Sequence, residues 1–280
     1  MRRAWRTNFP RPLPAGLLSR LAAKGLGLFL DYDGTLAEIV SDPAKAAPLP
    51  GVPETIAKIA GSKAPVAVAI VTGRRLREVR RLLRIRPDIF YSGVHGMELC
   101  DRNGKASFTA SALACSSELA RVRRWLKRNV PARRGFRIED KTVAIGLHYR
   151  LADPAEAESL CARFADFVAS ETPQLKIMKL KMLYEAMPRA AGKHRAIGSL
   201  KRTIPRSWAI VYIGDDTTDE DAFAALGKNG IGILAGPRRK SRARYRVAGP
   251  RAVARELRAL AASIEQWTRR QTPRAKNSAR

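Results

Sequence analysis

Residues 26–36 read Leu-Gly-Leu-Phe-Leu-Asp-Tyr-Asp-Gly-Thr-Leu, an apolar run that ends in two acids. Such a run predicts a strand buried on both faces within a parallel sheet. Parallel sheets bind ligands at the carboxyl ends of their strands, where Asp31 and Asp33 are expected to face one pocket. Such a pair can divide nucleophilic attack and proton transfer, or attract a divalent cation. Asp-Gly-Thr is also common turn chemistry.

Strands and helices alternate on either side of this stretch. The predicted strands are residues 66–71, 89–92, 208–213 and 230–234, and the predicted helices are 52–60 and 74–85. This alternation is typical of βαβ units around a parallel sheet. From about residue 105 to 187 the pattern becomes helix, hairpin, helix, hairpin, with helices at 113–128 and 154–170. We interpret this stretch as an α+β module inserted in an α/β core.

Other residues at strand ends suggest phosphate chemistry. Thr72 places a hydroxyl after the second strand, and Gly73 would let a ligand approach the backbone. Residues 214–221 crowd five acids into eight positions. Carboxylates suit a hard cation such as Mg²⁺, although they could equally stabilise the next helix N-terminus. Lys193 could supply a fixed positive charge for a phosphate.

These elements, in this order, resemble the haloacid dehalogenase superfamily of phosphatases and phosphomutases. The shared pattern is DxDG[TS], a strand-end Ser or Thr, a Lys, and GDxxxD. The resemblance covers about residues 25–236 and implies an α/β fold, a Rossmannoid parallel-sheet core with an inserted α+β cap. The expected division is a basic N-terminal segment 1–24, a core of 25–104 and 188–265, a cap of 105–187, and a basic C-terminal tail 266–280.

Shorter motifs are similar to the trehalose-6-phosphate phosphatase family within that superfamily. They are DYDGTL at 31–36, IVTGR at 70–74, GVHGME at 93–98, EDK at 139–141, HYR at 148–150, Glu185 with Pro188, and GDDTTDEDAF at 214–223. The sequence departs from the family at His194, where a Gly usually follows the motif Lys. That substitution leaves the local loop geometry open.

The resemblance implies Mg²⁺-dependent hydrolysis of trehalose 6-phosphate through an aspartyl-phosphate. Asp31 would be the nucleophile and Asp33 the general acid and base. Thr72 and Lys193 would bind phosphoryl oxygens, and Asp219 would orient Lys193 or a metal-bound water. The implied Mg²⁺ residues are Asp31, Asp33 through its backbone carbonyl, Asp215 and, further out, Asp216. The implied substrate contacts are Arg74, His95, Gly96, Glu139, Lys141, Arg150 and Glu185.

Several implied substrate contacts have ordinary alternatives. Lys141 and Arg150 could be exposed cations, which are common in a chain this basic. His148 could be a packed histidine on an alternating strand. Glu185 is harder to explain structurally, because an acid in an apolar strand is costly to bury without a partner.

Composition bounds the class of protein. The chain has 280 residues, of which 45% are apolar and 28% charged, as in ordinary globular proteins. No apolar stretch is long enough to predict a transmembrane helix. Basic residues at the N-terminus resemble the start of a secretory signal, but prolines and cations interrupt the apolar stretch that follows. Three widely spaced cysteines fit the reducing cytoplasm, which is the predicted compartment.

The formal net charge of +28 leaves a second class of function open. The run 238–246 could bind nucleic acid or another polyanion. The scarcity of aromatic residues in the basic ends, and the lack of a known nucleic-acid module, argue against it. Within the phosphatases, sucrose-phosphate, glucosylglycerol-phosphate and mannosyl-phosphoglycerate are alternative substrates. The expected partner is a small sugar phosphate, which a separate trehalose-6-phosphate synthase could supply; no membrane is expected.

Overall fold

Two β-sheets organise the chain. The structure, a computed structural model, describes residues 8–40, 45–86, 89–131, 134–228 and 230–271. In chain order the elements are β1 (Arg11–Pro12), α1 (Leu17–Ala22), β2 (Leu26–Leu30), α2 (Val52–Ala60), β3 (Val66–Val71), α3 (Leu76–Leu83), β4 (Phe90–Gly93), β5 (Glu98–Cys100), β6 (Ala106–Phe108), α4 (Ala110–Ala114), α5 (Ser116–Asn129), β7 (Arg137–Asp140), β8 (Ile145–His148), α6 (Pro154–Glu171), β9 (Leu175–Leu180), β10 (Leu183–Pro188), α7 (Lys193–Leu200), β11 (Ala209–Gly214), α8 (Asp219–Ala225), β12 (Gly230–Ala235), β13 (Tyr245–Val247) and α9 (Pro250–Gln271).

The larger sheet is mostly parallel. Among the described residues it has nine strands in the order β1-β13-β12-β11-β2-β3-β4-β5-β6. β2 pairs in parallel with both β11 and β3, while β4, β5 and β6 pair antiparallel. Every residue of β2 and β3 is buried. This is what continuous apolar runs predict for parallel strands covered on both faces, and the predicted α/β class is confirmed.

The two faces of β2 pack against different helices. Leu28 and its neighbours on the same face join a cluster with Ile56 of α2 and Leu257 of α9. Phe29 points to the other side, where it packs in a cluster with Phe223 of α8. This alternation follows the period of two along a strand. β2 is therefore fixed in the middle of the molecule, and Asp31 lies directly beyond its carboxyl end.

The smaller sheet is antiparallel throughout, in the order β7-β8-β10-β9. Helices α5 and α6 cover one face, where Leu147 packs with Phe164. The register places Glu139, Gly146 and Glu185 in one row across three strands. Because side chains alternate along each strand, this row faces away from the two helices. The predicted order of helix, hairpin, helix, hairpin is confirmed. The face away from the helices carries Glu185 and also Met187, which packs in a cluster with Val94 and Met97 of the core.

Strand β6 corrects the predicted start of the inserted module. It lies at the edge of the larger sheet, so the boundary at residue 105 is too early. Its sequence, Ala-Ser-Phe, is too short and too polar to predict a strand. From here on, the cap means α4 to α6 with β7 to β10, and the core means the larger sheet with its helices.

Parts of the predicted basic segments 1–24 and 266–280 are helical. Helix α1 lies within the first segment, and its Leu18 is buried. Helix α9 continues past residue 265, and its Val253, Leu257 and Leu260 are buried. The rest of those segments, residues 1–7 and 272–280, lies outside the described residues. Within the described ranges, none of the helices combines the length and hydropathy that a membrane-spanning segment requires.

Candidate active site

Three adjacent strands bring the predicted chemistry to one edge of the core sheet. Asp31 follows β2, Thr72 follows β3, and Asp215 follows β11. Lys193 begins α7, and Asp219 begins α8. Because the carboxyl ends of parallel strands share one edge, residues far apart in sequence meet there.

Lys193 lies between two buried carboxylates. Its Nζ is 2.8 Å from Oδ2 of Asp31 and 2.6 Å from Oδ1 of Asp219. Burial alone would lower the pKa of Lys193, but the charges of Asp219 and Asp31 raise it above its ordinary value. The ammonium is therefore retained at neutral pH. Tyr212 donates a 2.5 Å hydrogen bond to Asp219 and so helps to fix the carboxylate that orients Lys193.

A cluster of three carboxylates provides the donor set of a hard cation. One oxygen each from Asp31, Asp215 and Asp219 lies within 4.8 Å of the others. Oδ1 of Asp215 is buried without a hydrogen-bond partner. Burial, followed by the charge of Asp219, raises the pKa of Asp215 to about 7. These residues fit Mg²⁺, because a divalent cation would compensate the crowded charges and use the orphan oxygen.

The backbone at Gly34 is part of the same arrangement. Gly34 has a φ of +73°, and a Cβ there would lie 2.0 Å from Oδ2 of Asp215. Only glycine meets both demands. The Gly of the DGT turn therefore makes room for a carboxylate of the cluster.

Two acids expected near the metal lie apart from this cluster. Asp216 is exposed, and its Oδ1 accepts hydrogen bonds from the backbone and hydroxyl of Thr217. Its carboxylate is therefore held within its own turn, and its expected outer role at the metal stays a prediction. The side chain of Asp33 also lies outside the carboxylate cluster. The expected use of the Asp33 backbone carbonyl stays a prediction.

Asp33 is held by Arg74 instead. Nε and Nη2 of Arg74 each donate a 2.7 Å hydrogen bond to a different oxygen of Asp33. Burial alone would lower the pKa of Arg74, but the hydrogen bonds and charge of Asp33 raise it. The backbone N–H of Arg74 also donates to Oγ1 of Thr72. The sequence predicted Arg74 as a substrate contact and gave no sign of this pair.

The loop around His95 joins the catalytic segments. The N–H of His95 donates to the carbonyl oxygen of Thr72, and its own carbonyl accepts from Gly192, just before Lys193. A Cβ on Gly73 would lie 2.6 Å from Nε2 of His95. Gly73 therefore admits the imidazole ring, whereas the sequence suggested a ligand. Gly96, expected to contact substrate, has a φ of +90° and packs against the Gly192 backbone.

A buried charge pair of the cap meets this loop. Nζ of Lys141 is 2.7 Å from Oε1 of Glu185 and donates a 3.2 Å hydrogen bond to the carbonyl oxygen of Gly73. Glu185 is fully buried, and its Oε2 lies 3.7 Å from Nε2 of His95. Burial and the charges of Lys141 and Lys193 hold the pKa of His95 well below its usual range. The imidazole is therefore neutral at physiological pH.

On the same face of the cap sheet, Glu139 forms a hydrogen bond with His148. Their Oε2 and Nε2 atoms are 2.7 Å apart, and Nη2 of Arg137 lies 3.2 Å from the same nitrogen. Although burial opposes it, the hydrogen bond from His148 and the charge of Lys141 lower the pKa of Glu139 to about 2. The sequence did not predict a role for Arg137, because exposed arginines are common in this basic chain.

Arg150 lies apart from these groups. It is exposed in the turn after β8, and no ion pair joins it to the part of the chain that the structure describes. The structure thus brings together His95, Lys141 and Glu185, with Glu139 beside them. The substrate contact expected of Arg150 stays a prediction.

Comparison with known proteins identifies the family of this chain. Residues 29–251 match the family model described as trehalose-phosphatase. A trehalose-phosphate phosphatase of Mycobacterium tuberculosis is 31% identical over 81% of this chain and 58% of its own length, so the chain spans about half of that relative.

Solved structures support the fold. The C-terminal domain of a Candida albicans trehalose-6-phosphate phosphatase superposes with a TM-score of 0.73 at 23% identity, covering 91% of this chain and 99% of that one. A trehalose-6-phosphate phosphatase of Aspergillus fumigatus superposes with a TM-score of 0.67 at 25% identity, covering 91% of this chain and 100% of that one.

Proposed function

We propose that this chain, which belongs to the trehalose-phosphatase family, hydrolyses trehalose 6-phosphate to trehalose and inorganic phosphate. One observation supports this activity above the others. The buried Lys141–Glu185 pair of the cap touches the backbone at Gly73, one residue after Thr72. A set of groups that can bind sugar hydroxyls therefore lies beside a set that can transfer a phosphoryl group.

The first step is attack by a carboxylate oxygen of Asp31 on phosphorus. The new Asp31–phosphorus bond forms as the bond from phosphorus to the sugar oxygen breaks, and that oxygen takes a proton from Asp33. In the second step Asp33 removes a proton from water, and the water oxygen bonds to phosphorus as the bond from the Asp31 oxygen to phosphorus breaks. Inorganic phosphate leaves, and the Asp31 carboxylate is regenerated. Arg74 fixes the orientation of Asp33 for both proton transfers.

The phosphoryl oxygens need positive charge and hydrogen-bond donors. Lys193 supplies a buried ammonium held in place by Asp219, and Thr72 supplies a buried hydroxyl. Mg²⁺ bound at Asp31, Asp215 and Asp219 would reduce the repulsion between the nucleophile and the phosphate dianion.

The cap side chains would select the sugar. Glu139, Lys141 and Glu185 offer charged hydrogen-bond partners for hydroxyls, which is suited to a disaccharide. Their contacts with the core require the cap to close on the substrate, which excludes water from the phosphoryl site. We infer a cytoplasmic reaction from the free thiols of the three cysteines. A separate trehalose-6-phosphate synthase would supply the substrate.

The test is phosphate release from a panel of sugar phosphates with and without Mg²⁺. The panel contains trehalose 6-phosphate, sucrose 6-phosphate, glucosylglycerol phosphate, mannosyl-3-phosphoglycerate and glucose 6-phosphate. We expect preference for trehalose 6-phosphate, dependence on Mg²⁺, and loss of at least about a thousandfold in kcat for Asp31→Asn, because the amide cannot act as the nucleophile.

Other outcomes would correct separate parts of this proposal. Preference for another sugar phosphate would retain the phosphoryl chemistry but overturn the assignment of the cap. Release that persists in Asp31→Asn would overturn the aspartyl-phosphate. Absence of release from every compound, with a folded protein, would exclude the phosphatase activity and favour the polyanion alternative.

A further inference from the structure

The basic run 238–246 divides its side chains between two sides. Ser241 and Ala243 are buried, and Arg239 is partly buried. The basic residues exposed on the opposite side are Arg238, Lys240, Arg242 and Arg244. This alternation is that of an extended segment packed on one side. Arg239 is thus turned toward the protein, unlike its basic neighbours at 238 and 240.

Arg239 links the loop after β11 to helix α8. Nη1 lies 2.9 Å from Oε1 of Glu220 in α8, and Nη2 donates a 3.1 Å hydrogen bond to the carbonyl oxygen of Asp215. Glu220 also accepts hydrogen bonds of 2.7 Å from the Ser241 hydroxyl and the Arg242 N–H. Glu220 therefore anchors the segment that carries Arg239, and Arg239 in turn holds the backbone of Asp215.

The carboxylate of Asp215 depends on that backbone. Its Oδ1 has no hydrogen-bond partner among the described residues, so few side-chain contacts define its direction. Its other oxygen lies in the space that Gly34 leaves open. A shift of the Asp215 backbone would therefore change the spacing of the carboxylate cluster.

We propose that Arg239 is a positioning residue for the cation site. By bridging the Asp215 carbonyl oxygen to Glu220, it holds the carboxylates of Asp31, Asp215 and Asp219 in the spacing that receives a divalent cation. This inference rests on the proposed function, because it takes the cluster to be the Mg²⁺ site of the phosphatase.

Two physical effects of removing Arg239 have opposite signs. Loss of a positive charge near the carboxylates would, by Coulomb attraction alone, strengthen Mg²⁺ binding. Loss of the bridge would weaken it, and loss of such outer hydrogen-bond partners commonly reduces metal affinity about 10- to 100-fold. The direction of the change therefore separates positioning from a simple charge effect.

The experiment is calorimetric titration of the full chain with Mg²⁺ alone, without substrate. The variants are Arg239→Ala, Arg239→Lys and, as a matched control, Arg238→Ala. Arg238 carries the same charge one residue away, but its guanidinium stacks over Phe9 at 4.9 Å. We expect the Kd for Mg²⁺ to rise about tenfold or more in Arg239→Ala and to change less than about twofold in Arg238→Ala.

The lysine variant keeps the charge but lacks the two-armed guanidinium. A Kd between those of the wild type and Arg239→Ala supports the bridge, and it provides the readout if the alanine variant does not fold. A wild-type Kd in the lysine variant would overturn the proposal. So would unchanged or tighter binding in Arg239→Ala, or absence of Mg²⁺ binding by the wild type.

Phosphate release measured in parallel separates this inference from the proposed function. If the wild type does not hydrolyse trehalose 6-phosphate but Arg239→Ala still weakens Mg²⁺ binding, the substrate assignment fails and the positioning role stands. If the wild type hydrolyses trehalose 6-phosphate and Arg239→Ala binds Mg²⁺ normally, the positioning role fails alone.

Discussion

At the scale of single residues, the junction of cap and core depends on charges that compensate each other. Glu185 is fully buried, and Lys141 is nearly so. Burial alone would lower the pKa of Lys141, but Glu185 and Glu139 raise it above its ordinary value. The two acids therefore keep Lys141 charged in a site that excludes most water.

Removal of one member should cost more than removal of both. Lys141→Met leaves the Glu185 carboxylate buried without its main partner, and we expect a loss of about 3–5 kcal/mol in the free energy of unfolding. The double variant Lys141→Met with Glu185→Gln removes both charges and should be more stable than Lys141→Met alone. Urea denaturation of the two variants and the wild type measures this. A double variant that is no more stable than Lys141→Met would contradict the compensation.

The sequence predicted this pair only in part. Glu185 stood out because an acid in an apolar strand requires a partner, and Lys141 entered through its resemblance to a family motif. The partnership itself depends on the register of β7, β8 and β10, which places Glu139 and Glu185 in one row. Lys141 follows β7 directly, so the same register brings it to Glu185. Arg74 and Asp33 are 41 positions apart and follow different strands, and no local pattern indicates that they pair.

At the scale of elements, helix α9 shows how basic residues can hide an amphipathic pattern. Val253, Leu257, Leu260 and Ile264 recur at helical spacing and are buried against the core. Exposed arginines lie between them. The sequence assigned these residues to the core, which ends at 265 in that prediction, but no helix was predicted for them. The strands of the core were easier to predict, because no charged residues interrupt their apolar runs.

Helix α9 should therefore contribute substantially to stability. Leu257→Ala removes a fully buried side chain that packs with α2 and β2, and we expect it to lower the free energy of unfolding by about 2–5 kcal/mol. Arg258→Ala, on the exposed side of the same turn, should change it by less than about 0.5 kcal/mol. Thermal and urea unfolding measure both. If Leu257→Ala lowers the free energy of unfolding as little as Arg258→Ala does, α9 contributes little to the stability of the fold.

At the scale of the whole molecule, cap and core meet through apolar and polar contacts. Val94 and Met97 of the core join a buried cluster with Met187 of the cap. The polar contacts lie beside it. Lys141 binds the carbonyl oxygen of Gly73, His95 lies beside Glu185, and Lys176 of β9 donates a 2.7 Å hydrogen bond to the carbonyl oxygen of Ala191. These contacts use groups whose ionisation depends on their burial. The closed arrangement of the two parts should therefore respond to pH.

His95 gives that response a defined sign. Its pKa is well below the ordinary value of 6.5 because burial and the cations Lys141, Lys193 and Lys176 oppose its protonation. Below pH 6.5 the unfolded chain binds a proton at this residue that the folded chain does not. As the pH is lowered below 6.5, the free energy of unfolding should therefore decrease, by up to about 1.4 kcal/mol per pH unit from this residue alone.

Other groups of the site act in the opposite direction, so a variant is needed to isolate His95. Asp215, with a pKa raised to about 7, takes up protons in the folded chain between about pH 7 and 4 and favours folding there. We therefore expect His95→Gln to lose less stability than the wild type between pH 6.5 and 5, and to run parallel to it above pH 7.5, where His95 is neutral in both states. Urea denaturation across this range measures the difference. Parallel curves throughout would mean that His95 accepts its proton in the folded protein, and that the junction can hold a charged imidazole beside Glu185.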